Sequence, residues 1–164
     1  MKNNELEKFL DLNTDHYFKK TKHIILKNKD IQVTYAVFMR RPVLFCPSLA
    51  IKWLRKIEKI RNTKFNIKMC YKEGEWVGAG EPLMFLSGKF SQLVELETTY
   101  LQLIGPASVA AYNAFKMCTD LPNTAFMAMD ARHCAGAHMH ELMAYGASVG
   151  SNKAKKEVNA KGFI

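Results

Sequence analysis

The stretch Thr124-Ala125-Phe126-Met127-Ala128-Met129-Asp130-Ala131-Arg132-His133 decides the expected fold of this chain. Its first six residues form an apolar run that predicts a buried strand, and charged residues follow at once. The sequence then continues as a helix poor in bulky residues, and Gly162-Phe163-Ile164 is typical of the start of a second strand. Because α/β barrels present reactive side chains at the carboxyl ends of their strands, Arg132 and His133 are candidate site residues.

The residues before this run predict an α+β amino-terminal domain. Spacing of apolar residues, turn residues and β-branched residues indicates the following elements: a helix over 5–12, a second helix capped by Thr14 or Asp15 and reaching Thr21 or beyond, a strand over 33–39, its continuation over 43–46 after Pro42, an amphipathic helix after Pro47-Ser48, tight β structure over 73–88, and a long helix over 91–117. Gly105-Pro106 is expected to break or kink this last helix, and the small residues after it favour close helix packing. We therefore predict an α+β domain over residues 1–118. Residues 119–164 are the first βα unit of an incomplete α/β barrel.

Positive charge is concentrated in the first half of the chain. The 164 residues are 48% hydrophobic and 24% charged, a globular balance, with a net charge of +9. Residues 1–72 hold 17 Lys/Arg against 6 Asp/Glu, and the remainder holds 7 against 9. Such a surplus favours anionic partners, whether phosphorylated metabolites, nucleic acid or a membrane surface, and is equally typical of a solvated basic face.

Cysteine and histidine spacing indicates neither a disulfide framework nor a metal site. The four cysteines are far apart, form no CxxC pair and are expected to be thiols in a reducing compartment: Cys46, Cys70, Cys118 and Cys134. His138 and His140 stand two residues apart, which places them on different sides of a helix, so no metal ligand is assigned. The chain shows no apolar signal segment and no window of about 18 apolar residues. We therefore expect a cytoplasmic protein with no membrane partner.

Several features resemble one enzyme family in their order along the chain. Thr14-Asp15-His16-Tyr17-Phe18, followed by Thr21, resembles the (S/T)-D-x-Y-x-x-x-T signature near the start of nicotinate phosphoribosyltransferases. The later features are the Glu73-Gly74 turn, the Gly80-Glu81-Pro82-Leu83 strand entry, the Gly88 turn, the Glu97-Thr98 helix and Asp130-Ala131-Arg132-His133. The helix from Gly136 to Gly150 is similar to the one that links the first two barrel strands in that family. The resemblance covers the amino-terminal portion of such enzymes only.

The resemblance implies a type II phosphoribosyltransferase of NAD biosynthesis. In this reaction nicotinate attacks C1 of phosphoribosyl pyrophosphate and displaces pyrophosphate, with ATP hydrolysis coupled. It implies that Tyr17 stacks on the pyridine ring from the neighbouring subunit of a homodimer. It also implies that Arg132 binds the nicotinate carboxylate or the phosphoribosyl substrate, since its planar fork matches such anions. Many relatives carry a second arginine at the position of His133, whose neutral imidazole binds anions less well unless a phosphate nearby favours the protonated form.

No catalytic residue is assigned, and no covalently bound cofactor is expected. ATP and Mg²⁺ are expected for the full-length family enzyme. Because barrel enzymes hold phosphate groups in loops after their last strands, the chain by itself is expected to be inactive. The structural alternatives remain open: Tyr17 could staple a helix to the sheet, Arg132 could pair with Asp130 or Glu141, and the histidines could be ordinary surface residues.

Three other functions remain as alternatives. A quinolinate phosphoribosyltransferase is the nearest, although its dicarboxylate substrate needs a richer basic cluster than Arg132 and His133. A basic nucleic-acid-binding module would interleave aromatic residues with its cations, which this chain does not do, so no nucleic-acid partner is expected. The segment Glu73 to Gly88 resembles the hairpins of biotinyl and lipoyl carriers, but no lysine occupies a central turn there.

Overall fold

The chain forms an α+β region followed by a β–α–β unit, in a computed structural model that describes residues 3–129 and 133–163. The helices with described bounds are α1 (Asn3–Asn13), α2 (His16–Lys27), α3 (Ser48–Arg61), α4 (Phe90–Leu93), α5 (Glu97–Asp120) and α6 (Ala137–Val158). The strands are β1 (Gln32–Phe38), β2 (Val43–Leu44), β3 (Asn66–Met69), β4 (Trp76–Val77), β5 (Pro82–Lys89), β6 (Ala125–Phe126) and β7 (Gly162–Phe163). The fold class expected from the sequence is therefore confirmed.

An antiparallel sheet of three strands, in the order β1-β5-β3, forms the centre of the α+β region. β5 lies in the middle, and its continuous apolar run Leu83-Met84-Phe85-Leu86 is typical of a central strand that is covered on both faces. The sequence pattern suggested that residues 43–46 extend the strand before Pro42. Instead, β2 leaves this sheet and pairs with β4 in a separate antiparallel ladder, where Val43 lies opposite Val77.

Strand β3 was not predicted from the sequence. Its four residues, Asn66-Ile67-Lys68-Met69, alternate polar and apolar, but the run is short and three of the four are exposed, so the pattern is a weak signal. Its backbone pairs with β5, with Ile67 opposite Leu86. This edge strand therefore depends on the tertiary partner that β5 provides.

Helix α5 runs without a break through Gly105-Pro106, so the prediction of a break at that point is wrong. Proline in a helix interior removes one backbone hydrogen bond and costs about 3 kcal/mol. Here the residues on both sides of Pro106 are buried, including Leu103, Ile104, Ala107 and Ser108. Tertiary packing of the helix outweighs the local cost. The helix predicted over residues 91–117 is also divided into two helices, because the short α4 ends at Leu93 and α5 begins at Glu97.

Small residues allow α5 and α6 to cross at short range, as the sequence predicted. A Cβ atom added to Gly146 would lie 3.0 Å from the Cβ of Ala110, and one added to Gly150 would lie 2.9 Å from the backbone nitrogen of Phe115. Leu142 on α6 belongs to the same hydrophobic core as the residues of β2 and α3. This core is continuous across residue 118, and the division into domains at that residue stays a prediction.

Strands β6 and β7 are parallel, with α6 as the connection between them. Ala125 lies opposite Gly162, and the rings of Phe126 and Phe163 stack with their centroids 5.5 Å apart. The apolar run was predicted to form a strand over residues 124–129, but only Ala125–Phe126 does so, and Met127 and Met129 are exposed. Within residues 3–129 and 133–163, β7 is the one strand that pairs with this run. The methionine side chains of the run therefore remain exposed to solvent.

A helix that spans a membrane needs a long, apolar stretch. Among the helices that the structure describes, none combines sufficient length with sufficient hydropathy to do so.

Candidate substrate-binding site

Of the three residues predicted to bind substrate, the structure describes Tyr17 and His133. Tyr17 lies in the first turn of α2 with 60% of its surface exposed, and its ring centroid is 4.1 Å from that of Phe18. His133 is exposed and lies between β6 and α6. Arg132 lies outside the described residues, as do Asp130 and Ala131. In the described part of the chain, no hydrogen bond or ring contact joins Tyr17 to His133, so one copy of the chain does not bring these two side chains into contact.

The β6–α6–β7 unit places His133 after the carboxyl end of a parallel strand. This is the position from which barrel enzymes direct side chains at their substrates. The unit is held by the backbone of Lys161, whose N–H donates to the carbonyl of Pro122 at 2.8 Å. A second bond runs from the N–H of Phe163 to the Ser151 hydroxyl at 2.9 Å. The scaffold beside His133 is therefore formed by backbone pairing and by α6.

Negative charge surrounds the Tyr17 side chain. Partial burial raises the pKa of Tyr17, and the carboxylates of Asp15 and Glu97 raise this pKa further. The pKa of Glu97 is itself raised, by burial and then by Asp15. Carboxylates nearby disfavour a phenolate because like charges repel. Both effects favour the neutral phenol of Tyr17.

A cavity of about 300 Å³ opens beside Glu97. Its walls come from β1, from the residues that follow it and from α5, and the side chains with polar or aromatic groups are Tyr35, Phe38, Arg40, Glu97 and Tyr100. Burial and then Glu97 raise the pKa of Tyr35 to about 12, so its hydroxyl remains available as a donor. Burial likewise raises the pKa of Tyr100.

The sequence analysis did not identify Tyr35, Arg40 or Tyr100 as members of one cavity. Tyr35 reads as one residue of a strand and Tyr100 as one residue of a helix, 65 positions apart in the sequence. The signal available for Arg40 was its position directly after the strand predicted over residues 33–39. The sequence analysis placed Glu97 in a helix and gave it no role.

A second cavity, of about 280 Å³, lies near the amino-terminal end of α6. Phe9, Trp53 and Leu103 give it apolar walls, and Lys56 and His138 also line it. No group of three or more His, Cys, Asp or Glu side chains within the described ranges is placed to hold a metal ion.

The arginines of the amphipathic helix α3 are used within the fold. Arg55 donates to both carboxylate oxygens of Glu58 at 2.8 Å. Arg61 donates to Glu7 at 3.0 Å and also contacts the carboxylate of Glu95. These pairs favour the interpretation of α3 as a structural, solvated helix over a nucleic-acid-binding face.

We expect Asp15→Asn to lower the pKa of Tyr17, because it removes one of the negative charges that disfavour the phenolate. An asparagine keeps an oxygen that can accept the Thr98 bond, so the geometry is preserved. The pKa is read from the ultraviolet absorbance of phenolate across a pH titration, with Tyr17→Phe identifying the contribution of this residue. Asp11→Asn is the control, since Asp11 is an exposed acid that pairs with Lys19. Equal titration curves for Asp15→Asn and the unchanged chain would contradict this account.

The family of the chain follows from a match over its α+β region. Residues 15–108 match the family model described as quinolinate phosphoribosyl transferase, N-terminal domain. The chain belongs to this family. The match begins at Asp15, inside the motif that contains Tyr17, and ends within α5. A comparison with curated proteins found no match.

Solved structures share the fold of this family member. The nicotinate-nucleotide pyrophosphorylase of Ehrlichia chaffeensis superposes with a TM-score of 0.68 at 17% identity, over 90% of this chain and 52% of that one. The Pyrococcus furiosus nicotinate-nucleotide pyrophosphorylase superposes with a TM-score of 0.65 at 20% identity, over 84% of this chain and 36% of that one. The human nicotinic acid phosphoribosyltransferase superposes with a TM-score of 0.63 at 19% identity, over 84% of this chain and 34% of that one. The chain thus spans between about a third and a half of the length of these structures, which are of the type II phosphoribosyltransferase fold.

Proposed function

We propose that this chain is the amino-terminal part of a nicotinate phosphoribosyltransferase that acts in NAD biosynthesis. The observation that carries the phosphoribosyltransferase part of the proposal, before any choice between nicotinate and quinolinate, is the family match over residues 15–108, followed in the structure by a β–α–β unit with His133 after its first strand. Relatives of the same fold are named as nicotinate-nucleotide pyrophosphorylases and as a nicotinic acid phosphoribosyltransferase. These names support a pyridine carboxylate and phosphoribosyl pyrophosphate as the substrates.

In the proposed reaction the pyridine nitrogen of nicotinate forms a bond to C1 of the phosphoribosyl group. The bond between C1 and the pyrophosphate oxygen breaks, and its electron pair leaves with pyrophosphate. Arg132 pairs with the nicotinate carboxylate or with the phosphoribosyl substrate, because a guanidinium stays charged and binds such anions in a bidentate manner. His133 assists in the binding of anions when it is protonated.

Tyr17 stacks on the pyridine ring and contributes about 1 kcal/mol beyond the burial of area. We propose that it does so from the second subunit of a homodimer. The exposure of its ring is compatible with this role, since 60% of the residue surface is free in one copy of the chain.

ATP and Mg²⁺ are proposed only for the full-length family enzyme. In the part of the chain that the structure describes, no cluster of acidic or histidine side chains fits a metal ion. Because barrel enzymes hold phosphate groups in loops after their last strands, we propose that the 164-residue chain is inactive alone.

The quinolinate enzyme is the second candidate, and the name of the family model favours it. Quinolinate carries two carboxylates, and its reaction must also release one of them as carbon dioxide. Asp15 and Glu97 place negative charge near Tyr17, which favours the substrate with the smaller negative charge. We therefore prefer nicotinate.

The test uses the protein expressed from its complete reading frame, together with the 164-residue chain. Each is incubated with phosphoribosyl pyrophosphate, Mg²⁺ and either nicotinate or quinolinate, with and without ATP, and nicotinate mononucleotide is measured. We expect the longer protein to form product from nicotinate. Arg132→Gln should lower kcat/KM by about 10- to 100-fold, the effect of losing a charged hydrogen-bond pair. Arg55→Gln is the matched control, since this exposed arginine bonds to Glu58.

Product from quinolinate and not from nicotinate would replace the first candidate with the second. Product formed by the 164-residue chain alone would disprove the proposal that it is inactive. A protein that continues through the later barrel strands yet uses neither acid would overturn the proposed function.

A further inference from the structure

Apolar contacts hold helix α2 only weakly. Of the residues of α2, all of which the structure describes, Ile25 alone is buried. Ile24 and Leu26 are 61% and 63% exposed, and Tyr17 projects from the same helix. Since burial of apolar surface is the main force that fixes a helix on a domain, another interaction must set the position of this one.

Polar bonds tie the start of α2 to the segment that leads into α5. The Thr14 hydroxyl donates to the backbone carbonyl of Glu95 at 2.9 Å, in a buried position. The Thr98 hydroxyl donates to Oδ2 of Asp15 at 3.1 Å. About two turns further along α2, Lys22 donates to the Glu95 carboxylate at 2.6 Å. Three residues around Tyr17 are thus bonded to the same four-residue segment.

Asp15 gives up its usual local role to make this bond. It occupies the N-cap position of α2, where an aspartate side chain normally accepts a hydrogen bond from the first turn of its own helix. Here the side chain makes no such bond, and only the backbone carbonyl of Asp15 serves the turn, accepting from Phe18 at 3.0 Å. The carboxylate turns instead to Thr98 on α5. Its position is therefore explained by the attachment of one helix to the other and not by capping.

We propose that Asp15 and Thr98 form a clamp between α2 and α5 that positions Tyr17 for stacking on the pyridine substrate. They are positioning residues, because neither is placed in contact with the reacting atoms. The inference rests on the proposed function for the role of Tyr17, but the clamp itself can be measured without the reaction. A ring that is already oriented loses less conformational entropy when a substrate stacks on it, so the clamp is expected to act on substrate binding.

The first test is hydrogen exchange on the 164-residue chain. Thr98→Val removes the donor with little change in shape, and we expect faster exchange of the backbone amides of Phe18 and Lys19, which bond to the Asp15 carbonyl. Thr98→Ser restores the hydroxyl and should restore slow exchange, and Asp15→Asn should resemble the unchanged chain because it keeps the acceptor. Thr119→Val is the matched control, since Thr119 lies on the same helix and its hydroxyl donates to the backbone carbonyl of Lys116 in that helix.

The second test is kinetic and uses the protein expressed from its complete reading frame. Thr98→Val should raise KM for nicotinate about five- to tenfold with kcat within about twofold, the pattern of lost substrate binding. Thr98→Ser should return KM to its original value, which a variant that is merely destabilised would not do. Unchanged exchange of the Phe18 and Lys19 amides would overturn the clamp, whatever the enzyme does. Faster exchange with an unchanged KM would overturn the positioning role and leave the proposed function standing. A longer protein that uses neither acid would overturn the proposed function and, with it, the role of the clamp in catalysis.

Discussion

Gly150→Ala is expected to reduce the free energy of unfolding by about 3 kcal/mol, the upper range for overpacking in a core. A Cβ at this position would meet the backbone of α5, at Ala111 and Phe115, and no side-chain rotation can relieve a clash with backbone atoms. The two helices would have to separate, and the buried contacts along both would weaken. The measurement is urea unfolding of the variant and of the unchanged chain, with the difference taken from the midpoints at equal slope.

Gly105→Ala is the control for this substitution. Gly105 also lies inside a helix, but apart from its chain neighbours and the backbone of its own helix no heavy atom lies within 4 Å of an added Cβ. The better helix propensity of alanine is opposed by the restriction that Pro106 places on the residue before it, so the change should stay below about 1 kcal/mol. If both variants unfolded at the same urea concentration, the close approach of α5 and α6 would not be real.

Glu95→Gln is expected to have the second largest effect, a loss of about 3 kcal/mol. Glu95 is only 8% exposed and binds two cations, Lys22 at 2.6 Å and Arg61, whose side chain is also 8% exposed. A neutral amide leaves these two positive charges close together with less compensation. Because desolvated charges without partners are costly, the substitution destabilises the fold although its shape is almost unchanged.

The measurement is again urea unfolding, at low and at high salt. Asp120→Asn provides the comparison, since Asp120 pairs with Lys116 at 3.0 Å on the exposed face of α5. Surface pairs of this kind contribute less than about 1 kcal/mol. A loss for Glu95→Gln no larger than that for Asp120→Asn would show that the buried network does not stabilise the fold. The same carboxylate holds α2 through Lys22, so the unfolding result also bears on the attachment of the helix that carries Tyr17.

The candidate site could be predicted from the sequence only in part. The motif around Tyr17 is local and continuous, and the family match begins inside it, at Asp15. Tyr35, Glu97 and Tyr100 line one cavity, but nothing in their spacing shows that a strand and a helix bring them together. Arg132 was chosen for its position after an apolar run, and its role stays a prediction because it lies outside the described residues.

By itself the sequence determined the elements whose apolar residues repeat with a clear period, such as β1 and the amphipathic α3, because that repeat selects a strand or a helix whatever lies nearby. The sequence also determined that another helix could pack closely against α5, since the small residues after Pro106 can be read directly from it. Only the tertiary structure decided that α5 continues through Pro106, that β3 pairs with β5, and that the Asp15 carboxylate bonds to Thr98 and not to its own helix. At Pro106 and Asp15 the local preference is worth about 1 to 3 kcal/mol, and contacts between residues distant in the chain outweigh it. For β3 the partner strand is 13 or more residues away in the sequence, so its pairing is set by the tertiary structure.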